Sequence, residues 1–207
     1  DRVNGIDYDI WNPEKDEFIA SNYSIKTLDK KVENKLALQE MYGLPKRSDV
    51  PLIGICSRLT QMKGFDLVRY ILDELLKEDI QFVILGTGDK TYEEMFKYFE
   101  WKYNDKLRAR IYYNSHESHK IYAASDFYMM PSISEPCGIS QLIAMRYASL
   151  PIVREAGGLK DTVTPFNEYT GDGDGFSFAN INAHELLFTS KKAIEIYKND
   201  KAVSYTH

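Results

Sequence analysis

From about residue 50 onward, short apolar runs alternate with stretches whose apolar residues recur at helical spacing. Residues 51–57 (PLIGICS) form a continuous β-rich run. Val68, Ile71, Leu72, Leu75 and Leu76 follow at steps of three and one, which makes one apolar face of a helix. The alternation then repeats: run 80–86 and helix 91–103, run 109–113 and a short helix 119–125, run 126–132 and helix 139–148. Run 150–155, a short last run 175–178 and a closing helix 182–199 complete it. Apolar runs without polar alternation, separated by helices, predict a parallel sheet covered on both faces. Right-handed crossovers make this an α/β, doubly wound, Rossmann-like sheet, whose ligands bind beyond the carboxyl ends of the strands, where strand order switches.

The first 50 residues follow no such pattern. Asn4-Gly5 and Asn12-Pro13 are turn pairs in a stretch without periodicity, which reads as an ordered loop. Residues 28–45 read as a helix that stops at Gly43 and Pro45. The expected organisation is an opening loop and helix (1–50) packed on one domain (51–207), with no internal repeat and no low-complexity stretch.

Composition narrows the partners. A chain of 207 residues, 43% hydrophobic and 28% charged, can bury a sizeable core as one domain. A net charge of −5 gives no support to a nucleic-acid partner, although a few placed cations suffice for a nucleotide's phosphates. No run of 18 apolar residues and no charged-then-apolar leader occurs, so the chain reads as cytoplasmic, with no membrane partner. Cys56 and Cys137, two cysteines at unrelated positions, argue against a disulfide scaffold.

Candidate chemistry collects in the loops after the strands. Arg58 and Lys63 follow the first strand and lead into a helix beginning near Gly64. There they read as a diphosphate clamp beside helix N–H groups or as a solvated loop. Gly86 and Gly88, straight after the second strand, allow close backbone approach to a ligand or a tight turn; the G-x-G-x-x-G pattern is not completed. Tyr112 and Tyr113 end the third strand, where alternation sends one toward the core and the other toward the cleft. His116 and His119 stand at helical spacing for a metal pair, but no third ligand is evident. The DGDG stretch at 172–175 lacks the length and spacing of a calcium loop.

The segment 132–142 (SISEPCGISQL) is the richest. Gly138, Ile139 and Ser140 look like the first turn of a helix, whose free N–H groups with the Ser140 hydroxyl make an anion site. Ile139, Leu142, Ile143 and Met145 then anchor that helix in the core. Glu135 stands beside this site. A carboxylate does not usefully bind phosphate, so its partner is a hydroxyl-bearing group attached to one, such as a sugar; the alternative is a charge that complements the helix dipole. Cys137 reads as a packed thiol rather than a nucleophile. Gly157-Gly158 and Asp161 repeat the arrangement after the next strand.

Taken together, the NGID and WNP stretches, SRLTQMKGFDLV, LGTGD and the run from Glu135 to Val163 resemble the bacterial glycogen and plant starch synthases, retaining glucosyltransferases of family five. The resemblance runs from Asn4 to about Ile196 and implies the C-terminal half of a GT-B fold. It implies transfer of glucose from ADP-glucose to the non-reducing end of an α-1,4-glucan, with no cofactor and no metal. By the same resemblance, Arg58 and Lys63 contact the diphosphate, and Glu135 binds hydroxyls of the donor glucose. Tyr113 stacks on adenine, Cys137, Gly138, Ile139 and Ser140 belong to the turn that holds the distal phosphate, and Gly86, Gly88, Gly157 and Gly158 line the donor. Ser140 stands where many relatives have Thr. No Lys-x-Gly-Gly donor loop occurs, so the chain is expected to be a C-terminal fragment that lacks the N-terminal domain of its polypeptide and is inactive alone. The rivals are another GT-B transferase or sugar-nucleotide epimerase, and a non-catalytic nucleotide-binding module. The commoner GT-B signature places a second glutamate where this chain has Ile143, which favours the synthases.

Overall fold

The structure, a computed structural model, describes residues 6–134, 138–155 and 175–204, with side chains to 199. Six strands form one sheet: β1 (Leu52–Cys56), β2 (Gln81–Leu85), β3 (Leu107–Arg110), β4 (Phe127–Met130), β5 (Leu150–Arg154) and β6 (Phe176–Phe178). All neighbours pair in parallel, in the order β3-β2-β1-β4-β5-β6. The helices are α1 (Leu28–Tyr42), α2 (Phe65–Leu75), α3 (Lys90–Lys102), α4 (Ser115–Ala124), α5 (Ile139–Arg146) and α6 (Ala183–Ser204). The expected α/β doubly wound sheet is the observed one.

Because side chains alternate across a strand, each strand feeds two cores. Ile53, Ile55, Phe82, Ile84, Phe127, Met129 and Ile152 point to one face, where they meet Phe65, Val68, Ile71 and Leu72 of α2, Phe96 and Phe99 of α3, and Leu186 and Ile194 of α6. Leu52, Val83, Leu85, Tyr128, Met130 and Val153 point to the other, under α1, α4 and α5. The first face is closed mainly by apolar contact.

The second face carries buried polar groups. Lys35, 3% exposed, pairs with Asp126 at 2.7 Å and donates to the Val50 carbonyl at 2.8 Å. Lys31 donates to the Ala123 carbonyl at 2.7 Å and the Tyr122 carbonyl at 3.3 Å, at the C-terminal end of α4 where a cation is favoured. Burial nonetheless pulls its pKa down to about 7, against the upward pull of Asp126.

The opening loop is fastened to this face. Asp16 accepts from Tyr147 Oη at 2.5 Å and Phe18 N at 2.9 Å, and stands 2.7 Å from His119 Nδ1. Burial pushes the Asp16 carboxyl up, but its hydrogen bonds with His119, Tyr147 and Phe18 outweigh this and hold it below the ordinary 3.8. Ionised, it only accepts, so His119 Nδ1 is the donor. Trp11 stacks on His119 with ring centroids 3.9 Å apart, and Phe18 on His116 at 4.0 Å. The two histidines thus hold the loop down, and among the described residues no three His, Cys, Asp or Glu side chains gather as a metal site.

Several boundaries differ from the sequence reading. β3 starts earlier and ends at Arg110, because the Asn114 side chain accepts from Glu117 N and starts α4 at Ser115. Tyr112 and Tyr113 therefore lie beyond the strand, both exposed, and neither faces the core. Helix α5 ends at Arg146, followed by a tight turn with Ala148 at φ 59°.

Candidate functional site

The crossovers from β1 and β4 leave in opposite directions: β1 leads through α2 to β2, β4 through α5 to β5. The two strands are neighbours, paired at Ile53–Phe127 and Gly54–Tyr128. Their carboxyl ends open the crevice of a doubly wound sheet, where ligands bind. Arg58 and Lys63 follow β1, and Gly138, Ile139 and Ser140 follow β4, so chain topology alone brings them to one place.

The two loops are also fastened to each other. Gln61–Lys63 form a 3-10 turn that ends at Gly64, with φ 83°. The Met62 carbonyl accepts from Ile133 N at 2.9 Å and Ser134 N at 3.4 Å. A Cβ on Gly64 would stand 2.0 Å from the Pro131 carbonyl oxygen. The turn bearing Lys63 thus lies directly on the turn that follows β4. Arg58 is exposed, and among the described residues its guanidinium makes no hydrogen bond or ion pair. A free cation at a strand's carboxyl end, beside helix starts, is a ready anion partner.

Gly138 is the N-cap of α5, at φ 61° with no side-chain cap, so the first-turn N–H groups have no intrahelical acceptor. Ser140, expected at the phosphate, lies in the first turn of α5, near the hydroxyls of buried Tyr122 and Tyr128. Tyr128 donates to the Cys56 carbonyl at 2.7 Å. Burial raises the Cys56 thiol pKa and leaves it inert.

Ile139, expected in the core, is 41% exposed, whereas Gln141 is fully buried with neither amide atom hydrogen-bonded. The reason is rotational: Gln141 and Ala144 share the inward face of α5, and Ile139 starts the outward one.

Gly86 and Gly88 serve the loop itself. A Cβ on Gly86 would stand 1.9 Å from Ser57 O, and one on Gly88 would stand 2.4 Å from Leu59 O. The hydrogen bonds from Leu59 N to Thr87 O, 3.0 Å, and from Asp89 N to Leu59 O, 2.8 Å, zip the two loops together. These glycines set the path of the Arg58 loop from behind.

Tyr112 is pinned by its hydroxyl to Glu117, at 2.7 and 2.8 Å, and its pKa is pushed up to about 12 by burial and by that carboxylate. Tyr113 stands free at 83% exposure, its ring open to solvent. Glu135, Cys137, Gly157 and Gly158, together with Asp161 and most of the DGDG stretch, lie outside the described residues.

Arg154, which the sequence reading left as the end of a strand, reaches across to the turn after β4. Its Nε donates to Ser132 O at 3.0 Å, and its terminal nitrogens donate to Ile133 O and, at 3.3 Å, to Ala179 O. The available signal was a charged residue closing an apolar strand. For Gln141 it was an amide set among apolar neighbours.

Residues 38–206 match the model of the glycosyl transferases group 1 family, and the chain belongs to that family. Within it, the likeness is to the glycogen and starch synthases. Glycogen synthase of Finegoldia magna is 63% identical over 199 residues, which is 96% of this chain and 42% of that protein. The catalytic domain of starch synthase IV from Arabidopsis thaliana, bound to ADP and acarbose, matches with a TM-score of 0.87 at 39% identity, over 94% of this chain and 41% of that one. The C-terminal domain of a glycosyl transferase group 1 family protein from Francisella tularensis shares the fold, with a TM-score of 0.66 at 16% identity over 94% of this chain and 91% of that one. The chain spans less than half the length of the glycogen synthases it matches.

Proposed function

We propose that this chain is the nucleotide-sugar-binding half of a glycogen or starch synthase, which transfers glucose from ADP-glucose to the non-reducing end of an α-1,4-glucan with retention. The observation that carries the reading is exposed Arg58 on the loop after β1, beside the Lys63 turn, at the same carboxyl edge of the sheet as the start of α5. Identity to glycogen synthases supports it, as does the starch synthase neighbour bound to ADP.

In this reading Arg58 grips the diphosphate and Lys63 adds a point charge, where negative charge grows as the ADP leaving group departs. The first-turn N–H groups of α5 take the distal phosphate. The Ser140 hydroxyl, in the same turn, adds a side-chain donor to that phosphate. Exposed Tyr113 offers a ring to the adenine, and Glu135 accepts from the glucose hydroxyls. No metal is needed, because the cations and the helix start do its work. The facing wall of the cleft, with the glucan site, belongs to the remaining length of the longer relatives. This chain alone is expected to bind donor weakly and to transfer nothing.

An NMR titration, which reads millimolar affinities, tests this with ADP, ADP-glucose and UDP-glucose. Arg58→Ala is expected to weaken ADP and ADP-glucose alike, by about tenfold for a lost charge-assisted contact. Glu135→Ala is expected to weaken ADP-glucose more than ADP. Equal loss of both ligands on Glu135→Ala removes the sugar role, and glucan-dependent ADP release by the chain alone contradicts the half-cleft assignment.

A further inference from the structure

Arg154 spends its guanidinium on three backbone carbonyls, those of Ser132, Ile133 and Ala179, and makes no ion pair with a carboxylate among the described residues. A partly buried charge is ordinarily matched by an opposite one. Carbonyl dipoles solvate the guanidinium but leave its full positive charge at the carboxyl edge of the sheet.

What Arg154 holds is equally specific. It takes the carbonyls of residues 132 and 133, while the Met62 carbonyl takes the N–H groups of 133 and 134. The turn after β4 is therefore gripped from both sides: by β5 through Arg154, and by the Lys63-bearing turn through Met62. Pro131 stands against Gly64 at its base. Neither grip alone fixes the spacing between the Lys63 turn and the chain leading to α5. A lysine would not substitute, because it presents a point charge where three carbonyls in a fan call for a planar fork.

We propose that Arg154 is a positioning residue for the donor diphosphate: it sets the turn after β4 against the Lys63 turn and adds an unneutralised positive charge to the crevice. The inference rests on the donor-binding reading above and deepens it, since that reading assigns Arg154 nothing.

The test uses the 207-residue chain, with Arg154→Met, which removes fork and charge, and Arg154→Lys, which keeps the charge. Amide exchange of Ile133 and Ser134 reads the grip, exchange of Ile55 and Ile84 in the central strands reads the fold, and NMR titration reads ADP affinity. Arg154→Met is expected to speed exchange at Ile133 and Ser134, leave Ile55 and Ile84 protected, and weaken ADP about tenfold or more, the scale of a lost charge-assisted group. Arg154→Lys is expected to recover a substantial part of the ADP affinity while Ile133 and Ser134 still exchange fast. ADP affinity within twofold of wild type in Arg154→Met, or unchanged exchange at Ile133 and Ser134, overturns the proposal. Should Arg154→Met fail to fold, Arg154→Lys decides by the same two amides: faster exchange supports the grip and unchanged exchange overturns it. A wild-type chain that binds neither ADP nor ADP-glucose defeats the donor reading and takes this inference with it. Wild-type binding that the variants leave intact defeats only the role of Arg154.

Discussion

The two faces of the sheet are built on different principles. Under α2, α3 and α6 the core is dominated by apolar side chains, with Phe65, Phe82, Phe96 and Phe127 all at 2% exposure or less. Under α1, α4 and α5 the apolar core is stitched by buried Lys31, Lys35, Asp16, His119 and the hydroxyls of Tyr122, Tyr128 and Tyr147. The apolar face gains stability from area and tolerates much exchange of one apolar group for another. The polar face gains direction, because each buried hydrogen bond fixes which carbonyl or ring stands where, and its partners are costly to lose one at a time. It also carries the opening loop and the start of α5. The face that carries the start of α5 in the candidate site is the one held by directional bonds.

The comparison breaks first at its apolar end. Phe96→Ala should cost about 4 kcal/mol by cavity formation, seen as a fall in the denaturant midpoint with little effect on the amides of the opening loop. A loss below about 1 kcal/mol would mean that the face collapses freely around the gap. Next in size, Lys35→Met should cost about 3 kcal/mol, because it takes the cation from Asp126, which keeps only the Leu52 N–H, and leaves the Val50 carbonyl without the Lys35 donor. The double variant Lys35→Met with Asp126→Asn should recover part of that loss, and a cycle showing simple additivity would deny that the pair acts as a unit.

The smallest effect is the most informative. Asp16→Asn should cost about 1–2 kcal/mol at neutral pH, through the weakened bond to His119. Its pH dependence follows from the lowered pKa of Asp16. A carboxyl whose folded pKa is depressed stabilises the native state fully above the unfolded value, and that contribution fades as pH falls through the folded value. The gap between wild type and Asp16→Asn should therefore be constant above about pH 5 and close as pH falls below 3.8. Urea titrations across that range measure it. A gap that widened with acid would reverse the assignment.

Much of this was legible along the chain. Stretches such as 82–86 and 127–131 are apolar at every step because both faces of a parallel strand are buried, so the sheet and its loops follow from pattern. Arg58, Lys63 and Gly138 were legible for the same reason: they stand just past strand ends, and the fold places all such ends on one edge. Tyr112 and Tyr113 were misread because the Asn114 cap ends the strand early, and the local hydrogen bond outranks the apolar run. The rotation of α5 was hidden, since the pattern put Ile139 in the core where the structure buries Gln141 instead.

The sequence by itself determined the order and class of the elements, the edge on which the site lies and the family, because periodicity and short motifs are local properties of the chain. Only the tertiary structure decided which groups spend their donors inside the protein. His119 closes on Asp16 across 103 residues, Tyr147 on Asp16 across 131, and Arg154 on Ser132 across 22. Partners that far apart leave no trace in local spacing, since what joins them is the packing of separate elements into one body.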